Sequence, residues 1–217
     1  MTPGIFRERA YTVGLGGIAL FFAGLVGLQL IITLFLQLGE GFSAGGAGLS
    51  NIPIALGSGI GGALSGAVLA DKLGRSVLQI GAVVQLVGAG VLWLSIVHLD
   101  SFSIWQLVPG MLIAGIGSGL VVAALFNVIL GTLADKDVGS GSGVLSAVQS
   151  IASSVGVAII GSVFFAQVTK GNPGQGFRNA LLVQAVLLVA FLVLSPLFPK
   201  KARPEEFVAE AVEPTSV

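Results

Sequence analysis

Few residues in this 217-residue chain could do covalent or acid–base chemistry, and their spacing argues against most of it. There is no cysteine and only one histidine. Thiolate nucleophiles, disulfides and Cys- or multi-His metal sites are therefore unavailable from this chain, and neither a cofactor nor a metal ion is expected. Gly139-Ser140-Gly141-Ser142-Gly143 has the look of a serine-hydrolase loop. Its only histidine base would be His98, which lies beside Asp100 in a short polar break, so the serines read better as caps opening a helix. Gly57-Ser58-Gly59-Ile60-Gly61-Gly62 satisfies the dinucleotide pattern G-x-G-x-x-G, yet it sits inside an apolar run rather than between a strand and a soluble helix. The Gly57/Gly61 and Gly62/Gly66 spacings fit a close-packing seam instead. The chain is not expected to be an enzyme.

What remains is one knot of charge and a scatter of neutral polar side chains. Asp71, Lys72 and Arg75 stand within five positions, and the preceding run back to Glu40 holds no charge. Gly74 permits a tight reversal there, and Asp71 is placed to accept backbone N–H bonds at a helix start, where the dipole favours an anion. Elsewhere Gln29 and Thr33 are four residues apart, with Phe22 seven before Gln29 on the same helical face. Phe126 and Asn127 are adjacent, with Ala123 and Leu130 on adjoining turns. Ser142, Ser146, Gln149, Ser150 and Ser153 recur at spacings of three and four. A polar face that continuous should avoid lipid. No Asp, Glu, Lys or Arg lies deep in an apolar run; Glu40 and Asp100 fall near run ends. Carboxylates within a membrane are the usual proton carriers, so a proton carrier, if there is one, is expected outside this chain.

Elements long enough to hold such residues follow from composition. The chain is 54% hydrophobic and 9% charged, with a mean hydropathy of +1.01, whereas soluble domains carry about 25% charged residues. Zero formal net charge argues against nucleic acid as a partner. Charges divide the sequence into six spans, about 11–36, 47–70, 76–97, 104–133, 144–168 and 179–198. Each reaches the roughly 20 residues a bilayer core requires. Backbone groups in lipid must be satisfied within the segment, so the spans are helices. An all-α membrane bundle is expected, preceded by a short segment over 1–10 and followed by a disordered tail over 199–217. Most of the 33 glycines lie within the apolar runs and fit close helix approach. Lys and Arg divide eight to two between the two sets of connections, Lys170 and Arg178 being the minority. Both termini are therefore expected in the cytoplasm, with the first span retained rather than cleaved as a signal peptide.

The knot Leu69-Ala70-Asp71-Lys72-Leu73-Gly74-Arg75 resembles the loop signature of the major facilitator superfamily. Ala67 stands where the leading glycine belongs, and Ser76 replaces the second basic residue. "LFLQLGEGFSAGGAGLSNIPIALGSGIGG" and "AGIGSGLVVAALFNVILGTLADKDVGSGSGVLSAVQSIASSVGVAIIGSVFF" look like passages of fourteen-span drug:proton antiporters, as does "IFRERAYTVGL". The resemblance runs from about Ile5 to Phe198 and fits the C-terminal six-helix half of such a protein.

The resemblance implies an efflux transporter of lipophilic or cationic small molecules in the plasma membrane. It implies that Asp71, Lys72, Gly74 and Arg75 form a conformational latch, with plain boundary charge as the alternative. It places the first and fourth helices around a central cavity, making Phe22, Gln29, Thr33, Phe126 and Asn127 candidate substrate contacts. Gluing of helices by Gln29 and Asn127, worth about 0.6 kcal/mol each, is the rival reading. The fifth helix would meet the opposite half through Ser146, Gln149, Ser150 and Ser153, and the nearly aliphatic sixth helix would face lipid. Partners would be the small-molecule substrate, the lipid bilayer, and an N-terminal half or a second copy. A start at Met1 just ahead of the first span suits a truncated gene product or partial gene model. A half transporter of sugars or other metabolites, and a non-transporting assembly subunit, are the alternative functions.

Overall fold

The computed structural model describes residues 9–66, 75–97, 103–130 and 135–197, and among these every regular element is helical. In chain order they are α1 (Arg9–Leu34), α2 (Ala44–Leu49), α3 (Ile52–Leu64), α4 (Ser76–Val97), α5 (Ile104–Leu130), α6 (Asp135–Val168) and α7 (Pro173–Leu194). α1 runs into a five-residue π-turn at Phe35–Gly39, and α7 ends in a 3₁₀ turn at Ser195–Leu197. Among the described residues, six stretches are long and apolar enough to cross a bilayer: Thr12–Gly39, Ala44–Leu64, Ser76–Ile96, Ile104–Ile129, Gly139–Val168 and Pro173–Leu197.

Three boundaries depart from the sequence reading, each for a local reason. The second span begins at Ala44 rather than 47, because the Ser43 hydroxyl accepts from Gly46 N–H at 3.1 Å and caps α2. It is also broken at Ser50–Asn51, just ahead of Pro53 in the first turn of α3, where proline lacks an N–H and crowds the preceding turn. The sixth span begins at Pro173 rather than 179, since proline suits the first helical turn. Gly171, with φ +77°, turns the chain just before it. The largest change is in α6, which is already helical at Asp135 and carries through the Gly-Ser stretch. Ser142 therefore does not cap a helix start. Its hydroxyl donates to the Gly139 carbonyl at 2.9 Å inside the helix.

The spans pack as two sets, α3 and α4 each on α5, and α1 with α6 and α7, joined where α4 meets α7 and where α5 meets α1 and α6. Glycines set the spacing in each set. A Cβ on Gly57 or Gly61 would run into the α5 backbone at Leu112 and Ile116, and one on Gly115 or Gly119 into the α3 backbone at Ile54 and Ser58. Gly156 lies the same way against Ala23 of α1. Lipid supplies no hydrophobic drive between helices, so such backbone contact is what holds them together. A Cβ on Gly62 or Gly66 would meet open space, although the Gly62 backbone nitrogen lies against Gly119 of α5.

Two apolar clusters fill the interior. One gathers Phe21, Phe22, Leu78, Leu125 and Phe191, and the other Phe35, Leu92, Met111, Phe164 and Phe177. The rings meet tilted or edge-on, Phe35 to Phe177 at 4.8 Å and Phe21 to Phe191 at 5.5 Å between centroids. α4 and α7 are tied at both ends. Arg75 Nη1 donates to the Pro196 carbonyl at 2.7 Å, and Gln79 Nε2 to the Ser195 hydroxyl at 2.9 Å. At the other end the Arg178 guanidinium lies 5.0 Å over the Trp93 ring.

Candidate functional site

A groove opens along α1, between α3 and α6. Its larger part, about 640 Å³, is lined by Val26, Gln29, Leu30, Thr33, Asn51, Ile54, Ala55, Ser58 and Val157. A smaller part of about 220 Å³ continues from Gln29 and Ser58 toward α5, past Gly62, Ser118, Gly119, Val122 and Ala123. Together they span the volume expected of drug-sized sites, with apolar walls and a few polar groups.

The polar groups sit there for reasons visible in the helices. Gln29 and Thr33 are one turn apart on α1, and the Thr33 hydroxyl donates to the Gln29 carbonyl at 2.9 Å. Asn51 lies at the α2–α3 break, where its Nδ2 reaches both the Ala47 carbonyl at 3.1 Å and the Thr33 hydroxyl at 3.2 Å. The chain break thus turns an amide toward α1. Ser58 and Ser118 share a hydrogen bond of 2.9 Å where the glycine contacts bring α3 and α5 together. Ser118 also donates to the Gly115 carbonyl at 2.8 Å.

Of the candidate substrate contacts, the structure brings Gln29 and Thr33 into this groove. Phe22 lies in the core, 5% exposed, edge-on to Phe21 at 5.6 Å and to Phe126 at 6.3 Å. Phe126 is half-buried, packed against that cluster, and Asn127 beside it is exposed. Neither lines the groove. Asn51, Ser58 and Ser118 were missed. Ser58 entered the sequence reading only within a glycine pattern. The signal that could have found them is the Asn before Pro53 and the matched small-residue runs around Ser58 and Ser118.

Among the latch residues, Asp71, Lys72 and Gly74 lie outside the described residues, and Arg75 makes the Pro196 contact given above. On α6, Ser146 and Ser150 are exposed and Gln149 and Ser153 half-buried. The Ser150 hydroxyl donates to the Ser146 carbonyl at 2.9 Å, and Ser154 to that of Ser150 at 3.0 Å. Helix self-bonding of this kind satisfies each hydroxyl while leaving the face uncovered. On α7, Leu182, Val186, Val189 and Val193 are exposed, a stripe suited to lipid, whereas Gln184 is fully buried against Gly24 of α1. Just beyond the first span, burial raises the Glu40 carboxyl above the ordinary range.

Among the described residues, six apolar spans, with a groove open on one side, define a multi-pass helical membrane protein. The chain belongs to the Major Facilitator Superfamily, whose family profile matches residues 54–216. This membership places it among transporters rather than enzymes.

Curated relatives agree. A probable actinorhodin transporter of Streptomyces coelicolor is 38% identical over 162 residues, 74% of this chain and 28% of that protein. The cephamycin export protein CmcT of Amycolatopsis lactamdurans is 29% identical over 196 residues, 88% of this chain and 40% of that protein. Multidrug resistance protein Stp of Mycobacterium tuberculosis is 28% identical over 166 residues, 75% of this chain and 29% of that protein. The chain thus spans well under half the length of these relatives.

Solved structures share the fold. One, from work on a bacterial homologue of the human drug peptide transporters PepT1 and PepT2, has a TM-score of 0.68 at 17% identity, covering 89% of this chain and 43% of that one. The inward-open xylose transporter XylE of E. coli has a TM-score of 0.63 at 20% identity, covering 92% of this chain and 49% of that one.

Proposed function

We propose that this chain forms the C-terminal half of an efflux transporter of the fourteen-span drug:proton antiporter type, exporting lipophilic or cationic small molecules by alternating access. The groove along α1 carries this reading, because it presents Gln29, Thr33 and Ser58 on one open side of the bundle. A second bundle would supply the facing wall, and rocking of the two halves would expose the groove to each side in turn. Relatives named for actinorhodin transport, cephamycin export and multidrug resistance favour antibiotic-like cargo over sugars.

In this assembly the exposed Ser146 and Ser150 face of α6, with Gln149 and Ser153, meets the other half. The Asp71–Arg75 loop latches the halves on the cytoplasmic side, where both termini lie at the plasma membrane. Coupling to protons uses carboxylates of the missing half, since the described spans contain none away from their ends.

Dye accumulation in efflux-deficient cells expressing the chain together with the second bundle of its natural reading frame tests the proposal. Expression should lower accumulation, and Gln29→Leu should restore it at unchanged membrane abundance. Equal accumulation with and without the protein would reject export and leave an assembly role. Lowered accumulation untouched by Gln29→Leu would keep export but move the cargo path off this groove.

A further inference from the structure

We infer that the groove recognises ligands that donate hydrogen bonds, through hydroxyl or protonated-amine N–H groups, and discriminates against analogues in which that hydrogen is replaced by methyl. The inference rests on the groove being the cargo site, and it follows from the position of every polar hydrogen along it.

The Asn51 amide is oriented by chemistry. The atom 3.1 Å from the Ala47 carbonyl must be nitrogen, because a carbonyl oxygen can only accept. That nitrogen also donates to the Thr33 hydroxyl at 3.2 Å, so both of its hydrogens are engaged. Thr33 can accept this bond because its own hydrogen points to the Gln29 carbonyl at 2.9 Å. The Ser118 hydrogen goes to the Gly115 carbonyl at 2.8 Å. The hydrogen in the 2.9 Å contact between Ser58 and Ser118 therefore comes from Ser58.

What these bonds leave behind is oxygen. Thr33 and Ser58 keep lone pairs on half-buried hydroxyls, and Asn51 Oδ1 is buried with no hydrogen-bond partner among the described residues. Among the side chains lining the groove, only the exposed Gln29 has donor hydrogens not engaged in these bonds, and its amide can turn to offer either end. A ligand hydroxyl or protonated amine meets the Thr33 and Ser58 hydroxyl oxygens as two waiting acceptors, with Gln29 as a third. A methyl ether, which only accepts, finds Gln29 alone, and a permanent quaternary ammonium has no hydrogen to give. A site built to bond a ligand hydrogen discriminates against analogues lacking it, because its own polar groups are then left unpaired.

The test uses the full 217-residue chain in lipid nanodiscs with two matched probe pairs. One pair is an amphipathic fluorescent phenol and its O-methyl ether; the other is a tertiary-amine dye, protonated at neutral pH, and its quaternary N-methyl analogue. The donor of each pair should bind about tenfold more tightly, the value of a bond of roughly 1.4 kcal/mol. Ser58→Ala should pull that ratio toward one without weakening the ether. Thr33→Val, close to isosteric, should do the same if Ser58→Ala disturbs folding. Equal affinities, a tighter ether, no binding of either probe, or a ratio indifferent to both substitutions would overturn the inference. Cell efflux of the same pairs separates it from the functional reading. Selective binding without efflux of the phenol removes transport and leaves recognition, whereas equal efflux of both members with equal binding removes recognition and leaves transport.

Discussion

Single side chains in this bundle divide into those that hold it together and those that face outward, and Phe22 and Asn127 fall on opposite sides of that line. Phe22 makes two edge-on ring contacts in the core, so Phe22→Ala opens a cavity and should cost about 3–5 kcal/mol, read as a large drop in Tm in detergent. Asn127 is exposed, so Asn127→Ala should leave Tm unchanged. Glu40 offers a test by pH. Its carboxyl is raised by burial, so the fold favours the protonated form. Its stabilising contribution is complete below the ordinary carboxylate pKa of about 4.3 and disappears as pH rises through the raised folded value. Glu40→Gln should therefore match the parent near pH 4 and exceed it in Tm at pH 7. A gap that closes as pH rises would contradict the burial reading.

Helix pairs depend on which face of each glycine is covered, and α3 provides the internal control. Gly61 has α5 backbone against it, whereas Gly59 meets nothing within 4 Å. Gly61→Ala should push α3 from α5 and lower Tm, at about 1–3 kcal/mol, the cost of an overpacked interior. Gly59→Ala should be neutral or slightly stabilising, because alanine is the better helix former. The same displacement would pull Ser58 from Ser118 and deform the groove, so ligand binding should fall with Gly61→Ala and hold with Gly59→Ala. Sequence spacing alone found the Gly57/Gly61 seam but credited Gly62/Gly66 equally. Both pairs share the four-residue period, and a period cannot say which side of a helix a neighbour takes. The α6 boundary failed for a related reason. Glycine and serine read as loop formers, yet from Asp135 onward they continue a helix that packs on α1 and α7.

For the whole molecule, an even number of spans returns the chain to the side where it began. Cysteine accessibility labelling should place Arg75 and Pro196, which are hydrogen-bonded, on one face of the membrane and Lys170 on the other. Labelling of Arg75 and Lys170 from one side would break the six-span topology. The six candidate spans were legible in the sequence because each must satisfy its own backbone in lipid, so hydropathy writes them locally. Gln29 and Thr33 were legible as one face of one helix. Joining Gln29 to Ser58 and Ser118 was not, nor was turning Gln184 inward against Gly24, because those neighbours lie far off along the chain. The sequence by itself determined how many helices cross and which surfaces tolerate lipid, both being properties of single segments. Only the tertiary structure decided which small residues touch, where the groove opens and which oxygens are left without hydrogens, because each of these depends on the close approach of helices that the chain order does not place side by side.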